Sequence, residues 1–235
     1  SLEKQKEYEK QIEKIKQGMP IQYITHVQEF MGLEFYVDEN VLIPQPDTEV
    51  VVETAIQFIN DSNTEICILD LCTGSGCIGI SIAKNIKNAR VVLSDIQEKS
   101  LAIAQKNAIQ NKVEKNIKMV QSNLFEKLKN YQFDTIVSNP PYIETSEIAT
   151  LSKEVQQEPK IALDGGEDGL FFYNKILKEA SSYLKSKGYL VLEIGYNQAN
   201  AILKIAEQTK KWKIVTLQAI KDLGGNDRVL VFQKN

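Results

Sequence analysis

The sequence predicts an α/β fold with three layers, in which helices cover both faces of a mainly parallel sheet. After residue 65, short apolar segments alternate with amphipathic helical ones, which is typical of crossover connections between parallel strands. A glycine-rich loop follows the first apolar segment, and a polar tetrapeptide follows the fourth. Because ligands bind such sheets at the carboxyl ends of the strands, both features lie where a site is expected.

The elements of this alternation follow from hydrophobic spacing and from turn residues. The expected strands cover residues 66–71, 90–94, 117–121, 133–138, 189–194, 213–219 and 228–233. The expected helices cover residues 49–59, 77–88, 98–111, 168–187 and 198–208. Asp47 or Thr48 caps the first helix, and Gly188 lies just past the end of the fourth. The last two strands are predicted to close the sheet as a pair.

The part of the chain before this alternation is predicted to be a helix followed by a hairpin. In residues 2–17, apolar side chains recur every three or four positions among Lys and Glu, and Gly18 fits the position after the helix end. Residues 30–37 and 41–43 predict two strands of a hairpin, or an extended linker, which Pro44 ends.

Length, composition and charge restrict the classes of function. The 235 residues, of which 43% are hydrophobic, can bury the core of one domain with a small appendage. The net charge of −3 argues against binding nucleic acid through bulk charge, although a local basic patch would still permit it. No apolar stretch approaches the ~20 residues that span a bilayer, and the charged N-terminus is unlike a signal peptide. We therefore expect a soluble, cytoplasmic protein without a membrane partner.

The three cysteines are predicted to pack rather than to bind a metal. Cys67, Cys72 and Cys77 have a spacing that matches no common zinc pattern, and His26 is the one histidine in the sequence. The first lies in an expected strand, the second in a loop and the third at a helix start, so they point in different directions. We expect no metal and a reducing compartment.

The tetrapeptide Asn-Pro-Pro-Tyr at residues 139–142 predicts chemistry on a planar amino group. The side-chain oxygen of Asn139 can accept a hydrogen bond from an NH2 group, and Tyr142 offers a ring face to a flat amide or base. The two prolines fix φ and donate no N–H, so the carbonyls that follow are held rigid. Such a cradle suits a nitrogen with a delocalised lone pair. The residues expected to grip the substrate are Asn139, Pro140, Pro141 and Tyr142.

The glycine loop Gly-Ser-Gly-Cys-Ile-Gly at residues 74–79 permits either a dinucleotide or S-adenosyl-L-methionine (SAM). Two carboxylates favour SAM. Asp70 precedes the loop and can serve the amino-acid part of that cofactor, while Asp95 ends the next strand and can accept both ribose hydroxyls. A plainer interpretation, in which Asp70 only caps the turn, stays open. The tetrapeptide at residues 139–142 strengthens the choice of SAM.

Together these motifs resemble the peptide chain release factor glutamine N5-methyltransferase family. The resemblance also rests on residues 42–49 (Leu-Ile-Pro-Gln-Pro-Asp-Thr-Glu) and 162–170 (Ala-Leu-Asp-Gly-Gly-Glu-Asp-Gly-Leu), and it runs from about Gly18 to the C-terminus. Asn-Pro-Pro-Tyr alone is shared with adenine N6 and guanine N2 methyltransferases of DNA and RNA. The other two segments are much more specific.

The resemblance implies a Rossmann-like SAM-dependent methyltransferase fold with a mainly parallel seven-stranded sheet and an antiparallel last strand. It implies three parts, namely an N-terminal helix at residues 1–18 that is the remnant of a helical substrate-recognition domain, a β-hairpin linker at 19–46 and the methyltransferase domain at 47–235. The chain is thus expected to be a shortened member.

The resemblance also assigns roles to individual residues. Asn139, Pro140 and Tyr142 are the expected catalytic residues, with Asn139 Oδ1 and the Pro140 carbonyl accepting the two N–H bonds of a glutamine side chain. Asp95 is the expected ribose ligand. The full set of expected cofactor-binding residues is Asp70, Cys72, Thr73, Gly74, Ser75, Gly76, Asp95, Asn123, Leu124 and Asn139.

Two positions depart from the family pattern. Gln45 stands where the family often has Arg, which alters a supporting contact rather than the chemistry. Asn123 stands where the family usually has Asp beside the adenine. Because an amide oxygen still accepts a hydrogen bond from the adenine amino group, we expect weaker attraction there.

Three functions compete at this point. The favoured one is methyl transfer from SAM to the glutamine of the Gly-Gly-Gln loop of release factors, the expected protein partners. The alternative is an exocyclic-amino methyltransferase acting on DNA or RNA bases, but no basic target domain is evident and no stable nucleic-acid binding is expected. The third is a SAM-binding module without activity. The complete tetrapeptide at residues 139–142 argues against this third function.

Overall fold

The computed structural model describes residues 2–59 and 64–235, with Leu2 described by its backbone alone. Along these residues the strands are β1 (Gln28–Phe30), β2 (Leu33–Phe35), β3 (Ile66–Leu71), β4 (Ala89–Asp95), β5 (Ile117–Gln121), β6 (Phe133–Ser138), β7 (Leu184–Glu193), β8 (Trp212–Ile214), β9 (Ile220–Lys221) and β10 (Asp227–Lys234). The helices are α1 (Leu2–Lys16), α2 (Ile21–Thr25), α3 (Glu49–Phe58), α4 (Cys77–Asn85), α5 (Glu98–Gln110), α6 (Lys160–Leu163), α7 (Phe171–Glu179) and α8 (Ala199–Thr209). Among these helices, none combines the length and the apolar character that crossing a membrane requires.

The central sheet confirms the predicted fold class, but along the described residues it has eight strands instead of the expected seven, because the short β9 also pairs with β10. Within the described ranges its strands follow the order β5-β4-β3-β6-β7-β10-β8, and the short β9 pairs with β10. The pairs from β5 to β7 are parallel, whereas β10 runs antiparallel to β7. The chain moves outward from β3 through β4 to β5 and then returns to the other side of β3 as β6. The carboxyl ends of β3, β4 and β6 therefore surround the switch point, where ligands bind such sheets.

Both faces of the sheet are buried. In β3, Ile68 belongs to an apolar cluster with helices α3, α4 and α5, while Leu69 belongs to a second cluster with α7 and α8. Successive side chains of a strand point to opposite faces, so a strand covered on both sides is apolar at almost every position. This burial explains why the sequence showed continuous apolar runs.

The hairpin lies further upstream than predicted. β1 pairs with β2 in an antiparallel register, and the turn between them consists of Met31 and Gly32, both at positive φ. Two residues at positive φ match the twist of a tight hairpin, so Gly32 belongs to the turn and not to a strand. Residues 41–43 form no strand, so of the two expectations for this segment the hairpin strand is wrong. Two of its backbone groups bind side chains instead of a partner strand. The Val41 carbonyl accepts from the Tyr23 hydroxyl, and the Ile43 N–H donates to Glu158.

Other predicted boundaries also shift. The helix predicted at residues 168–187 ends at Glu179, a 3-10 turn follows, and β7 already begins at Leu184. Gly188 consequently lies inside β7 rather than past a helix end. The early start of the strand is fixed by a hydrogen bond from the Phe133 N–H to the Tyr183 carbonyl. The helix predicted at 77–88 ends at Asn85. The strand predicted at 213–219 is shorter than expected, because β8 ends at Ile214 and the next strand, β9, begins only at Ile220.

Candidate active site

A cavity of about 320 Å³ opens at the carboxyl edge of the sheet, beside the switch point. Part of its wall comes from the loops after β3 and β4, and part from the ends of β5 and β6. Of the residues predicted to form the site, those that line the cavity are Cys72, Gly74, Asp95, Asn123, Leu124, Asn139 and Pro141. The segment around Val41 and Leu42 and the start of α7 complete the wall.

The glycine loop joins β3 to α4 and leaves open space toward the cavity. Gly76 has φ +84°, a conformation that favours glycine, and a Cβ there would also lie 2.8 Å from Ile80 Cδ1. Gly74 has φ +52°, but a Cβ at that position would meet nothing within 4 Å. Gly74 therefore borders the cavity, whereas Gly76 packs against the helices. Thr73 and Ser75 are buried, and the Thr73 N–H donates to the Ser94 carbonyl.

Asp95 links the glycine loop to the loop that follows β4. Its Oδ2 accepts the Gly74 N–H at 3.0 Å, and its Oδ1 accepts the Gln97 N–H at 2.9 Å. Burial raises the pKa of this carboxyl above its ordinary value, against the effect of the backbone donors. Each carboxylate oxygen has a second lone pair, so Asp95 retains acceptor capacity toward the cavity.

Asp70 is fully buried beneath the glycine loop and is not part of the cavity wall. Its Oδ2 accepts from the Thr73 hydroxyl at 2.6 Å and from the Gly79 N–H at 2.9 Å. Its Oδ1 is buried without a partner in the described part of the chain, and burial raises the pKa of the carboxyl to about 7. The plainer interpretation of Asp70, as the residue that holds the turn, is the one these contacts support.

Asn123 and Leu124 follow β5 at the far side of the cavity. The Asn123 side chain donates through Nδ2 to Glu126 Oε1 at 2.8 Å, which leaves its Oδ1 as a free acceptor. Leu124 is buried and has φ +48°, so the chain turns sharply next to the cavity.

Asn139 and Pro140 present two oxygens without partners. The Asn139 Nδ2 donates to Thr48 Oγ1 at 3.3 Å, so the opposite end of this amide is its oxygen. Within the described ranges, neither Asn139 Oδ1 nor the Pro140 carbonyl accepts a hydrogen bond from the protein. Pro140 and Pro141 are buried, which fixes the backbone that carries both acceptors.

The side chain of Tyr142 turns into the protein. Its hydroxyl lies 3.4 Å from Glu193 Oε1 and 3.4 Å from Arg228 Nη1. Burial, followed by the charge of Glu193, raises the pKa of Tyr142. The sequence predicted a ring that stacks on a substrate, and that role stays a prediction, whereas the inward hydroxyl was not predicted.

The segment at residues 163–170 supports the backbone of Tyr142 and Ile143. The Ile143 N–H donates to the Leu163 carbonyl at 3.0 Å, and the Ile143 carbonyl accepts from the Gly165 N–H at 2.8 Å. A Cβ at Gly165 would lie 2.6 Å from Tyr142 Cα, so only glycine permits this approach. Through these contacts the turn at residues 164–166 holds the backbone that follows Pro141.

A group of charged side chains lies behind the tetrapeptide. Arg228 donates to Asp222 Oδ2 through Nε at 3.2 Å and through Nη2 at 2.9 Å, and Nη2 also lies 3.2 Å from Asp47 Oδ2. Glu193 is 2% exposed, and its Oε2 has no partner among the described residues. Burial raises the pKa of Glu193 to about 7, although the nearby Thr48 hydroxyl and the Arg228 charge lower it.

The sequence of this chain is similar to those of known methyltransferases. The family model for the methyltransferase small domain matches residues 56–216. A release factor glutamine methyltransferase of Fusobacterium nucleatum is 47% identical over 221 residues, which cover 93% of this chain and 61% of that protein. One of the same name from Clostridium acetobutylicum is 42% identical over 230 residues, which cover 96% of this chain and 79% of that protein. This chain belongs to the release factor glutamine methyltransferase family.

A solved structure agrees with this assignment. The protein-(glutamine-N5) methyltransferase, release factor-specific, of Alicyclobacillus acidocaldarius has 28% sequence identity and a TM-score of 0.52, over 86% of this chain and 99% of that one. The predicted family and the methyltransferase fold are therefore confirmed. The chain spans 61% of the length of the Fusobacterium relative.

Membership in this methyltransferase family implies SAM as the methyl donor, and the residues present fit such a group. The open face of Gly74, the spare lone pairs of Asp95 and the free Oδ1 of Asn123 all border one cavity. Gly74 leaves space for the cofactor beside its backbone, Asp95 can accept hydrogen bonds from hydroxyls, and Asn123 Oδ1 can accept one from an amino group. The direct contacts of each residue with the cofactor stay predictions.

Several residues of this methyltransferase site were missed by the sequence reasoning. Phe171, Phe172 and Lys175 line the cavity from α7. The Tyr142 hydroxyl lies beside Glu193 and beside Arg228, and these three residues are far apart along the chain. The Pro-rich segment at residues 42–49 was the sequence signal for part of this group, because it contains Asp47, which binds Arg228, and Thr48, which binds Asn139.

The cysteines occupy the predicted elements. All three thiols are free, and Cys72, at φ +62°, lines the cavity. Burial raises the pKa values of Cys72 and Cys77, which keeps both thiols protonated. Among residues 2–59 and 64–235, no group of three or more His, Cys, Asp or Glu side chains is arranged to hold a metal ion.

Proposed function

We propose that this protein transfers a methyl group from SAM to the side-chain amide nitrogen (N5) of the glutamine in the Gly-Gly-Gln loop of peptide chain release factors. The observation that supports this most directly is the pair of unpaired oxygens at the end of β6, Asn139 Oδ1 and the Pro140 carbonyl. A primary amide has two N–H bonds, and two fixed acceptors can bind both of them. The family membership supports the same reaction.

In this proposal the chain holds the cofactor and aligns the amide. SAM supplies a methyl group that its sulfonium already activates, so alignment and exclusion of water are the main requirements. Asp95 accepts the ribose hydroxyls, Gly74 gives the backbone room to approach, and Asn123 Oδ1 accepts from the adenine amino group. The apolar side chains of Leu42, Leu124 and Phe172 keep water from the cavity.

The oxygens of Asn139 and Pro140 also stabilise the methyl transfer electrostatically. Positive charge develops on the amide nitrogen as its lone pair forms a new bond, and the dipoles of Asn139 and Pro140 point their negative ends at it. Because Pro140 and Pro141 are rigid, these dipoles need not reorganise during the reaction. The proton that the nitrogen then loses goes to water in this proposal.

The division of the chain belongs to the same proposal. We assign residues 47–235 to the catalytic domain, 19–46 to the linker and 1–18 to the part that adjoins substrate recognition. Because the target is a loop of a protein that acts in translation, the protein works in the cytoplasm. An acidic chain of net charge −3 does not hinder such a partner.

Labelling with tritiated SAM tests the proposal. Three possible methyl-accepting substrates are incubated in parallel. They are a release factor, the same factor with its Gly-Gly-Gln glutamine replaced by asparagine, and mixed DNA and RNA oligonucleotides. We expect label on the first alone, and mass spectrometry of its peptides should place the added methyl on the glutamine. Label on the oligonucleotides would select the base methyltransferase instead, and no label anywhere would contradict both activities.

A further inference from the structure

Glu193 and Thr48 lie behind the amide of Asn139 and are both almost completely buried. The parallel register of β6 and β7 pairs Ser138 with Leu192, so the next residues, Asn139 and Glu193, emerge side by side at the same edge. Thr48 stands just before α3, and its Oγ1 accepts the Asn139 Nδ2 at 3.3 Å. Three polar side chains from distant parts of the chain thus meet behind the substrate acceptors.

The direction of the Asn139 amide decides whether the site can work. An amide has a donor end and an acceptor end, and a substrate NH2 group requires the acceptor end. Thr48 alone does not choose between them, because a hydroxyl can either accept from Nδ2 or donate to Oδ1. A further group must fix the direction of the Thr48 hydroxyl.

Glu193 is the group that can do this. An ionised carboxylate only accepts hydrogen bonds, so it draws the Thr48 hydroxyl proton toward itself and leaves a Thr48 lone pair for Asn139 Nδ2. The Thr48 hydroxyl lowers the pKa of Glu193, as expected for a donor that faces this carboxylate. The unpartnered Oε2 shows that Glu193 has acceptor capacity left.

Burial raises the pKa of Glu193 to about 7, and two neighbouring groups act against this by favouring the ionised form. Arg228 faces it from β10, and Tyr142 approaches Oε1 with its hydroxyl. Asp47 opposes ionisation through its charge, but Arg228 lies 3.2 Å from the Asp47 carboxylate and offsets it. The Tyr173 hydroxyl donates to the Glu193 backbone carbonyl and not to its carboxylate.

We infer that Glu193, acting through the Thr48 hydroxyl, is a positioning residue that keeps Asn139 Oδ1 turned toward the substrate amide. This inference rests on the proposed function, since it concerns the same acceptor. It adds two residues to the machinery of the reaction, neither of which borders the cavity.

Four variants test the inference. Thr48→Val removes the hydroxyl at nearly constant shape, Thr48→Ser keeps it, and Glu193→Gln lets an amide donate to Thr48 and so favours the reversed Asn139. Thr54→Val is the matched control, because Thr54 is another buried threonine, on α3. For each variant, kcat and KM are measured with the release factor, the SAM dissociation constant by calorimetry, and the melting temperature by scanning calorimetry.

We expect Thr48→Val and Glu193→Gln to lower kcat by roughly 10- to 100-fold, the size of one or two lost polar interactions. The SAM dissociation constant should stay within about twofold, whereas Thr48→Ser and Thr54→Val should keep wild-type kcat. The double variant should be no slower than the slower single variant, because both changes break one chain of contacts. Wild-type kcat in folded Thr48→Val protein, or additive losses in the double variant, would overturn the inference.

NMR spectroscopy tests the contact between Thr48 and Asn139 without any measurement of turnover. The side-chain NH2 signals of Asn139 can be observed in 15N-labelled protein and assigned by their disappearance in Asn139→Asp. They should move in Thr48→Val and stay nearly unchanged in Thr48→Ser and Thr54→Val. Unmoved signals in Thr48→Val would contradict the contact itself. If the wild-type protein labels no release factor, the proposed function fails on its own, and these signals still test the contact.

Discussion

The Gly74 N–H donates to Asp95 Oδ2 at 3.0 Å, so a carboxylate at the end of β4 fixes the backbone of the loop that follows β3. Both residues line the same cavity. The Asp95 side chain therefore has two roles. It fixes the conformation of the glycine loop, and it offers hydrogen-bond acceptors to a ligand bound in the cavity. Substitutions at Asp95 should therefore affect cofactor binding, whereas substitutions at the end of β6 should affect the chemistry.

Asp95→Ala should weaken SAM binding while turnover at saturating SAM changes little. Hydrogen bonds to a charged acceptor contribute about 1.5–3 kcal/mol, so the dissociation constant should rise by roughly 10- to 150-fold. Calorimetric titration with SAM measures this directly. Asp134→Asn is a suitable control, because Asp134 lies at the opposite end of β6 and binds the Cys67 N–H and Lys185. Unchanged affinity in Asp95→Ala would remove the ribose assignment.

Asn139→Ala should abolish turnover and leave SAM affinity within a few-fold of wild type. The variant loses one of the two acceptors for the substrate amide, and loss of one such preorganised group typically lowers kcat by about 10²–10³-fold. Methyl transfer to the release factor and calorimetric binding of SAM are measured on the same preparation. A comparable loss in both measurements would show that Asn139 serves mainly the cofactor.

The sequence predicted the parts of this structure that depend on local pattern. The strands β3, β4 and β6 were found because residues buried on both faces are largely apolar in sequence. The glycine loop and the tetrapeptide were found because their conformations demand Gly and Pro at fixed positions. Their common location followed from the rule that parallel strands end at one edge.

The rest depended on contacts between distant residues. The direction of the Tyr142 hydroxyl is set by Glu193 and Arg228, which are 51 and 86 residues away along the chain. No local pattern marks such a group, since Glu193 and Arg228 each have an ordinary place in their own strands, β7 and β10. The segment at residues 41–43 failed for the same reason, because Tyr23 and Glu158 take the backbone bonds that a partner strand would need.

Gly165→Ala should destabilise the protein and lower its turnover together. The added Cβ would lie 2.6 Å from Tyr142 Cα and 2.8 Å from its carbonyl carbon, both backbone atoms that cannot move independently. Overpacking of this kind costs about 1–3 kcal/mol. Chemical denaturation measures the free energy of unfolding, and methyl transfer to the release factor measures kcat. A variant that is as stable and as active as wild type would show that the tetrapeptide does not need this support.

Glu158→Gln should flatten the dependence of stability on pH. Glu158 accepts the Ile43 N–H at 2.8 Å, and burial raises its pKa to about 7 from the ordinary 4.5. The folded state thus keeps a proton that the unfolded state releases above about pH 4.5. The stability that this proton contributes is fully present below pH 4.5 and is lost as the pH rises toward 7, with a slope of at most about 1.4 kcal/mol per pH unit.

The glutamine amide keeps an acceptor for Ile43 but binds no proton, so it removes this slope without removing the hydrogen bond. Denaturant unfolding of the wild type and of Glu158→Gln at several values between pH 4.5 and 7.5 makes the comparison. The free energy of unfolding of the wild type should fall more steeply with pH, and the variant should gain relative stability above pH 7. Parallel curves would mean that Glu158 is ionised in the folded protein throughout this range, and that its burial is offset by a contact stronger than the one from Ile43.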